Sequence, residues 1–375
     1  MSRAFVLRAD GGAELGIGHV RRCLTLAVAL KARGELPVLV LRHTDEPVVN
    51  MVRHAEIEVH RLPPQMTYND EPAALTELGI QAEACIVLDV SHRATFLEAS
   101  AIPGYFDVLA TCFRSVTVID SMLHECLVGQ FDLPVDLAVI PYAGADEQPV
   151  RTRGARMALG LEYFILDRAY AGFAGRPRDI APAAERLLVT AGGSDPHGLT
   201  LKIFAALERL DTRPLELRIA IGPAFTDEAI EAIGNAAGAS RHRVTLLDRP
   251  DDLARHMAWC DLAISASGLT KYELAATGTP AILLSADQNH VDFNRPFEKF
   301  QTARHLGVAK DIPIDSIAKS IEALVGDPTT RAEMSSAART FLDGRGAERV
   351  ASLIITSIDA AQSRKGTQTA RGASR

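Results

Sequence analysis

Residues 261–290 read DLAISASGLTKYELAATGTPAILLSADQNH, and their order decides the expected fold. Leu262 to Ala266 is a short apolar run of the kind found in a strand buried on both faces, and Ser267-Gly268-Leu269-Thr270 is a turn of small residues. Lys271 to Thr277 then reads as a helix, with Thr270 as its N-cap and Gly278 just past its end. Pro280 punctuates, and Ala281 to Ser285 is the next strand. A strand, a glycine turn and a helix N-terminus gather free backbone N–H groups and the positive end of a helix dipole at one spot, which suits phosphate. Glu273 lies near the same mouth and can accept hydrogen bonds from a diol such as ribose. Thr270-x-x-Glu273 is equally a capping box that only closes the helix, and the rest of the chain has to decide between the two.

Outward from this stretch the same grammar recurs. In the N-terminal half, strands over 4–8, 37–41, 57–62, 84–90, 115–119 and 137–141 alternate with helices over 20–33, 46–53, 72–81 and 93–113. In the C-terminal half, strands over 187–190, 215–221 and 244–247 alternate with helices over 199–210, 226–237 and 251–258. Helices near 292–304, 315–325, 329–341 and 346–361 close the chain. Strands apolar on both faces, each followed by a helix, predict parallel sheets covered on both sides. Residues 143–183 carry weaker periodicity and several glycines and prolines, so the domain boundary is placed there. The expected architecture is α/β: two doubly wound, Rossmann-like domains, 1–150 and 151–361, facing each other across a cleft, with a disordered basic tail at 362–375.

Composition narrows the function. The 375 residues are 47% apolar and 23% charged, an ordinary soluble globular balance, and the net charge of −7 argues against nucleic acid or an anionic membrane as the partner. No apolar run reaches the ~18 residues of a membrane span, and the N-terminus enters a strand at once, unlike a signal peptide. Cys23, Cys85, Cys112, Cys126 and Cys260 are scattered and odd in number, which fits reduced core residues of a cytoplasmic protein.

Three loops follow strands and open helices with small residues: Gly16-Ile17-Gly18-His19, Gly192-Gly193-Ser194-Asp195 and Ser267-Gly268-Leu269-Thr270. None is a Walker loop. No D-x-D pair is present to hold a divalent metal on a pyrophosphate, so no metal or other cofactor is expected, and amides and helix ends would hold a phosphate directly. His19 follows the first glycine loop at a helix start, where its ring would project into the cleft and could act as a base; otherwise it caps the turn. His92, His124, His197 and His290 also lie near strand ends, without ligand spacing on any one element. Asp89 and Asp120 each end a strand and are either pocket residues or helix caps.

Together these loops resemble a known family. Arg8, Asp10, Gly16, Gly18, His19, Val20 and Arg22 match R-x-D…G-x-G-H-V-x-R. Gly192-Gly193-Ser194-Asp195-Pro196 with Leu199-Thr200 is the second motif. Ser265 to Leu274 with Gly278 and Pro280, then Asn289, is the third. The combination is similar to the UDP-2,4-diacetamido-2,4,6-trideoxy-β-L-altropyranose hydrolases of pseudaminic acid biosynthesis and to spore-coat polysaccharide proteins, relatives of MurG-type glycosyltransferases with the GT-B fold. The resemblance implies that His19 activates water and that Arg8, Asp10, Gly16, Gly18, Arg22, Asp89 and Asp120 lie on the sugar side. It implies that Gly192, Gly193, Ser194, Asp195, Ser267, Gly268, Thr270, Glu273 and Asn289 hold the UDP. Two segments depart from the family: its Asp-His-Tyr strand end is here Asp89-Val90-Ser91, and its paired acidic residues are Asp120-Ser121. The implied reaction is hydrolysis of a UDP-linked amino or deoxy sugar with inversion. A glycosyltransferase using a UDP-sugar donor is the rival reading, and a non-catalytic nucleotide-sugar-binding protein a third.

Overall fold

The computed structural model describes residues 3–12, 17–78, 84–89, 99–120, 127–145, 154–193, 195, 197–223, 225–250, 252–266 and 268–358. The chain divides into two compact units. The first runs to Asp167 and takes in the chain again from Arg345; the second is Arg168–Gly344.

The first unit is built on a seven-stranded sheet of order β3-β2-β1-β4-β5-β6-β7. Its strands are β1 (Ala4–Gly11), β2 (Leu36–Thr44), β3 (Glu58–Arg61), β4 (Cys85–Asp89), β5 (Ser115–Ile119), β6 (Leu137–Ile140) and β7 (Arg156–Leu159). Every pairing is parallel. Phe5, Leu7, Val87 and Val139 of the sheet and Cys23, Leu26 and Leu30 of the helix Gly18–Lys31 share one buried core. The near-continuous burial of β1, β4 and β5 is the pattern expected where helices cover both faces.

The second unit repeats the plan with six strands, order β10-β9-β8-β11-β12-β13. These are β8 (Arg186–Thr190), β9 (Glu216–Ile221), β10 (Arg243–Asp248), β11 (Leu262–Ala266), β12 (Ala281–Ser285) and β13 (Arg304–Val308), again all parallel. Leu187, Val189, Ile264 and Ile282 pack against Ile203 and Leu207 of the helix Leu199–Leu207 and Ile317 and Ile321 of the helix Ile314–Val325. In both sheets the strand order reverses beside the first strand of the unit: between β1 and β4, and between β8 and β11. Such reversals open a crevice at the carboxyl ends of the strands, where ligands of α/β sheets bind.

Several expectations are corrected. The boundary lies at 167/168, not 150/151, because β7 pairs with β6 and completes the first sheet. The closing helix, residues 346–358, belongs to the first unit, where Val350, Ala351, Ile354 and Ile358 enter the core beside Phe5 and Leu26. β13 is a strand where the sequence suggested the end of a helix: the helix Gln288–Lys299 stops, and Gln301 at φ 56° turns the chain into the sheet edge. β1 runs on to Gly11 because buried Asp10, which reads as a loop residue, accepts hydrogen bonds from Arg8 Nη1 at 2.6 Å and the His43 amide at 3.3 Å. The helix within 93–113 is described only from Ala99, with a 3-10 turn at Ala99–Ala101 and an α-helix over Ile102–Cys112 whose first turn holds Pro103. Thr270 is not an N-cap: the helix Thr270–Ala276 starts at Thr270 itself, and Leu269 occupies the capping position.

Candidate active site

In the first unit the site grows from the two strands that flank the reversal. β1 and β4 pair with Ala9 opposite Asp89, which brings the end of β1 alongside the last residue of β4. The helix Gly18–Lys31 carries His19 and Arg22 one turn apart on one face. His19 Nδ1 lies 2.8 Å from Asp89 Oδ1. Arg22 clamps the same carboxylate in a fork, Nε to Oδ2 at 2.5 Å and Nη2 to Oδ1 at 2.5 Å, and its Nη1 donates to the Tyr142 hydroxyl.

The charges in this cluster decide the histidine's tautomer. Asp89 is fully buried, and burial alone would push its carboxyl up; Arg22, with His19, outweighs that and holds it below the usual carboxylate range. Arg22 is likewise buried against its charge, yet Asp89 keeps it protonated. An ionised carboxylate can only accept hydrogen bonds, so Nδ1 of His19 must donate to it. Arg22 Nη2, at 3.2 Å from Nδ1, gives its hydrogen to Asp89 instead. In the neutral ring this leaves Nε2 as the acceptor, on a side chain that is 20% exposed. A histidine oriented by a buried aspartate, with its outer nitrogen free to take a proton, has the parts of a general base.

The other sugar-side candidates fall behind this group. Arg8 has no exposed surface: its guanidinium is held by Glu71 at 2.8 and 3.1 Å and by Asp10 at 2.6 Å, so it braces the strand rather than facing a ligand. Glu71 also meets Arg42 at 3.0 Å and the Tyr105 hydroxyl at 2.7 Å, making a buried ionic cluster of two arginines, two carboxylates and a tyrosine. Asp120 is buried and accepts the Val128 amide at 3.1 Å, the cap reading of that residue. Gly18 is the first residue of the helix that carries His19; Gly16, His92 and His124 lie outside the described residues. Tyr142 and Glu71 were missed from the sequence. Tyr142 follows β6 by two residues, close to the strand-end positions that singled out Asp89 and Asp120, and could have been found that way.

In the second unit the corresponding loops are mostly main chain. Gly192, at φ +85°, and Gly193 follow β8, and a side chain at Gly222 would strike the Gly193 carbonyl oxygen at 2.3 Å, so the turn after β9 packs on their backbone. Asp195, at φ +44°, turns its carboxylate onto the helix behind it, accepting the Leu199 and Thr200 amides at 2.7 and 2.8 Å. That N-terminus is thus filled by the chain's own anion, and Asp195 is placed as a cap rather than a ligand contact. After β11, Gly268 is exposed with open space around it, and Thr270 and Glu273 are half-buried. Ser194, Ser267 and the side chain of Asn289 lie outside what is described. His290 is tied to Asp287 at 2.8 Å, and among the described residues no three potential metal ligands come together.

One feature inside the third motif was not expected. Lys271, the second residue of the helix Thr270–Ala276, is buried, and its Nζ donates to the Phe293 carbonyl at 3.1 Å and Asn294 Oδ1 at 3.0 Å. Asn294 donates on to Ser285 Oγ at 2.9 Å, which meets His305 Nε2 at 2.9 Å. With aromatic rings of Tyr272, Phe293 and Phe297 around it, burial pushes the amine down to about 7.

Comparison with known proteins supports the fold. Residues 186–350 match the Glycosyltransferase family 28 C-terminal domain. The chain has the GT-B fold, two parallel-sheet α/β Rossmann-like units. The crystal structure of Acinetobacter baumannii MurG superposes with a TM-score of 0.64 at 15% identity, covering 94% of this chain and 99% of that one. The UDP-N-acetylglucosamine 2-epimerase from Neisseria meningitidis, bound to UDP-N-acetylglucosamine, gives 0.57 at 12% identity, covering 94% and 100%. Among sequences, the chain is 24% identical to the spore coat polysaccharide biosynthesis protein SpsG of Bacillus subtilis (strain 168), over 92% of this chain and 96% of that protein. Among the described residues no helix is long and apolar enough to cross a membrane.

Proposed function

We propose that this protein is a UDP-sugar hydrolase that breaks the anomeric C–O bond and releases UDP and the free sugar with inversion. The observation that carries the reading is the His19–Asp89–Arg22 group, with Nδ1 committed to the aspartate and Nε2 left to accept a proton. Water held by Nε2 attacks the anomeric carbon as the bond to the UDP oxygen breaks and its electron pair leaves with the diphosphate; His19 takes water's proton and passes it to solvent. UDP is already a good leaving group, so the second carboxylic acid of a glycosidase is not required. Gly192, Gly193, Gly268, Thr270 and Glu273 hold the nucleotide in this reading, the amides taking the charge that builds on the β-phosphate and Glu273 the ribose hydroxyls. Support for the nucleotide comes from the family 28 match over residues 186–350 and from the fold shared with a UDP-N-acetylglucosamine-bound epimerase. In this reading the sugar is an amino or deoxy sugar destined for a nonulosonic acid or a surface polysaccharide, on the motif resemblance; the name of the spore-coat relative supports only the polysaccharide.

The family 28 match also favours a second reading, in which the same histidine deprotonates an acceptor hydroxyl and the protein is a glycosyltransferase. Incubation with UDP-linked amino sugars and no acceptor separates the two. Stoichiometric UDP and free sugar, the latter first appearing as the inverted anomer, is the expected result. No turnover until an acceptor is added would overturn hydrolysis in favour of transfer.

A further inference from the structure

The buried amine of Lys271 has no part in the reaction above, yet it lies at the root of the loop after β11. Ala266, the last residue of β11, pairs with Leu284, so Ser285 at the end of β12 stands level with the start of that loop. Lys271 is joined to Ser285 through the Asn294 side chain. It follows Thr270 directly and, at ~3.8 Å between successive Cα atoms, lies within roughly 11 Å of Gly268.

The partners of this amine are all uncharged. Lys271 is 4% exposed, and its Nζ donates to a carbonyl and an amide oxygen, those of Phe293 and Asn294. The ring centroids of Tyr272, Phe293 and Phe297 stand 5.5, 5.7 and 5.3 Å away. Among the described residues no carboxylate pairs with it, and burial by itself pushes the amine down to about 7. The hydrogen-bonded string from Asn294 through Ser285 ends at His305 on β13. Burial holds that histidine below its ordinary value; Lys271 and Arg295 push the same way, and Glu298 opposes them. A cation withdrawn from water and given only neutral partners is costly, and a nearby anion is what relieves the cost.

We propose, resting on the nucleotide reading above, that Lys271 is the counter-cation of the UDP site: it attracts the diphosphate to the loop after β11 through space, and UDP binding draws a proton onto its amine. Gly192, Gly193 and Gly268 give a ligand room to approach but bring no full charge of their own. A charge in the low-dielectric interior acts over such distances because little water screens it. An anion near an amine favours its protonated form. At pH 8 the free protein holds Lys271 mostly neutral, so the complex takes up protons there, and affinity falls as pH rises from 7 to 9. Over most of that range a terminal phosphate, with its pKa of about 6, is already ionised.

The test is calorimetry of UDP binding to the full-length chain, in buffers of different ionisation enthalpy, which counts the protons taken up. At pH 8 wild type should take up roughly half a proton more than Lys271→Met, the amount that follows if UDP favours the charged amine about tenfold. The Met variant should bind UDP severalfold more weakly at pH 7, with the gap closing by pH 9. It should also melt higher at pH 7, a pairing of lower affinity with higher stability that a structural role does not produce. Uridine, which carries no phosphate, should bind both proteins equally. Lys271→Gln keeps an N–H for Asn294 without the charge and should behave like Lys271→Met; wild-type affinity and proton uptake in the Gln variant would overturn the proposal. Equal UDP affinity and proton uptake in wild type and Lys271→Met overturn it too, and leave the nucleotide reading standing. So does a loss of uridine affinity as large as that of UDP, which would make Lys271 a structural residue. Absence of UDP binding by wild type would overturn the nucleotide reading and this proposal with it.

Discussion

The two units reverse their strand order in the same way and fill the resulting crevice with opposite materials. At the β1–β4 reversal titratable side chains crowd together: His19, Arg22 and Asp89 at the mouth, and Arg8, Asp10, Glu71 and Arg42 buried behind them. At the β8–β11 reversal there are Gly192, Gly193 and Gly268, with the Asp195 carboxylate turned away onto its own helix. Orienting a proton acceptor needs charges whose positions are fixed by one another, and such charges have to be buried and paired to be rigid. Receiving a diphosphate needs donors that let the ligand come close, which glycine backbone does and side chains obstruct. One fold carries both solutions because strand-end loops can change without disturbing the sheets.

The largest expected effect lies in the first of these crevices. His19→Asn should preserve the fold and UDP binding while lowering turnover by about 10²–10⁴-fold, the usual worth of a positioned base. Asp89→Asn should do nearly as much, because an amide in place of the carboxylate no longer forces the proton onto Nδ1. Near-normal turnover in either variant would show that the charge cluster is structural, like the one behind it.

That second cluster offers the next effect, on stability. Glu71→Ala would leave Arg8 and Arg42 buried with one carboxylate fewer and Tyr105 without its acceptor. Breaking a buried ion pair from one side costs about 3–5 kcal/mol, which urea denaturation would read. A loss under 1 kcal/mol would mean that water reaches these groups.

In the second unit Lys271 is a buried charge that no carboxylate pairs with among the described residues. The unfolded chain binds a proton on this amine up to about 10.5, the native chain only up to about 7. Between those values the unfolded state carries the extra proton, so stability rises with pH across that window; above it the penalty is gone. At about 1.4 kcal/mol per unit the penalty has a ceiling of roughly 5 kcal/mol. Lys271→Met should therefore be more stable than wild type at pH 7, with the advantage shrinking toward pH 10. Equal stability at both pH values would show the amine to be solvated.

Much of this was legible in the sequence, and the gaps have physical reasons. Apolar runs flanked by small residues located eleven of the thirteen strands, since a strand buried on both faces has little else it can be. β7 and β13, RMAL and RHLGV, lie at sheet edges, carry charge and lack that signature. His19, Arg22 and Asp89 were each singled out, but their contact is made across 70 positions of sequence and depends on the pairing of Ala9 with Asp89. The burial of Arg8 was hidden for the same reason: Glu71, 63 positions away, neutralises it. Lys271 gave no sign at all, because a lysine in a helix normally faces solvent.

The smallest expected effects distinguish the two carboxylates that follow the loops of the second unit. Asp195 accepts two amides of the helix Leu199–Leu207, so Asp195→Ala removes a cap and should cost about 0.5–2 kcal/mol of stability. It should leave UDP affinity nearly unchanged, unless freeing that helix end admits the diphosphate, in which case affinity would rise. Glu273 is the reverse case. It sits half-buried in the first turn of the helix Thr270–Ala276, and Thr270, its proposed capping-box partner, is already inside that helix. If Glu273 binds ribose, Glu273→Ala should weaken UDP by about 1–3 kcal/mol, the range for losing a charged hydrogen-bond partner, and should weaken uracil-free pyrophosphate far less. Calorimetry with UDP, pyrophosphate and 2′,3′-dideoxy-UDP on both variants makes the comparison complete. Removing the ribose hydroxyls should abolish the difference between wild type and Glu273→Ala while leaving Asp195→Ala indifferent. Should Glu273→Ala instead lower only the melting temperature, both carboxylates are caps, and the second unit holds its nucleotide by main chain alone.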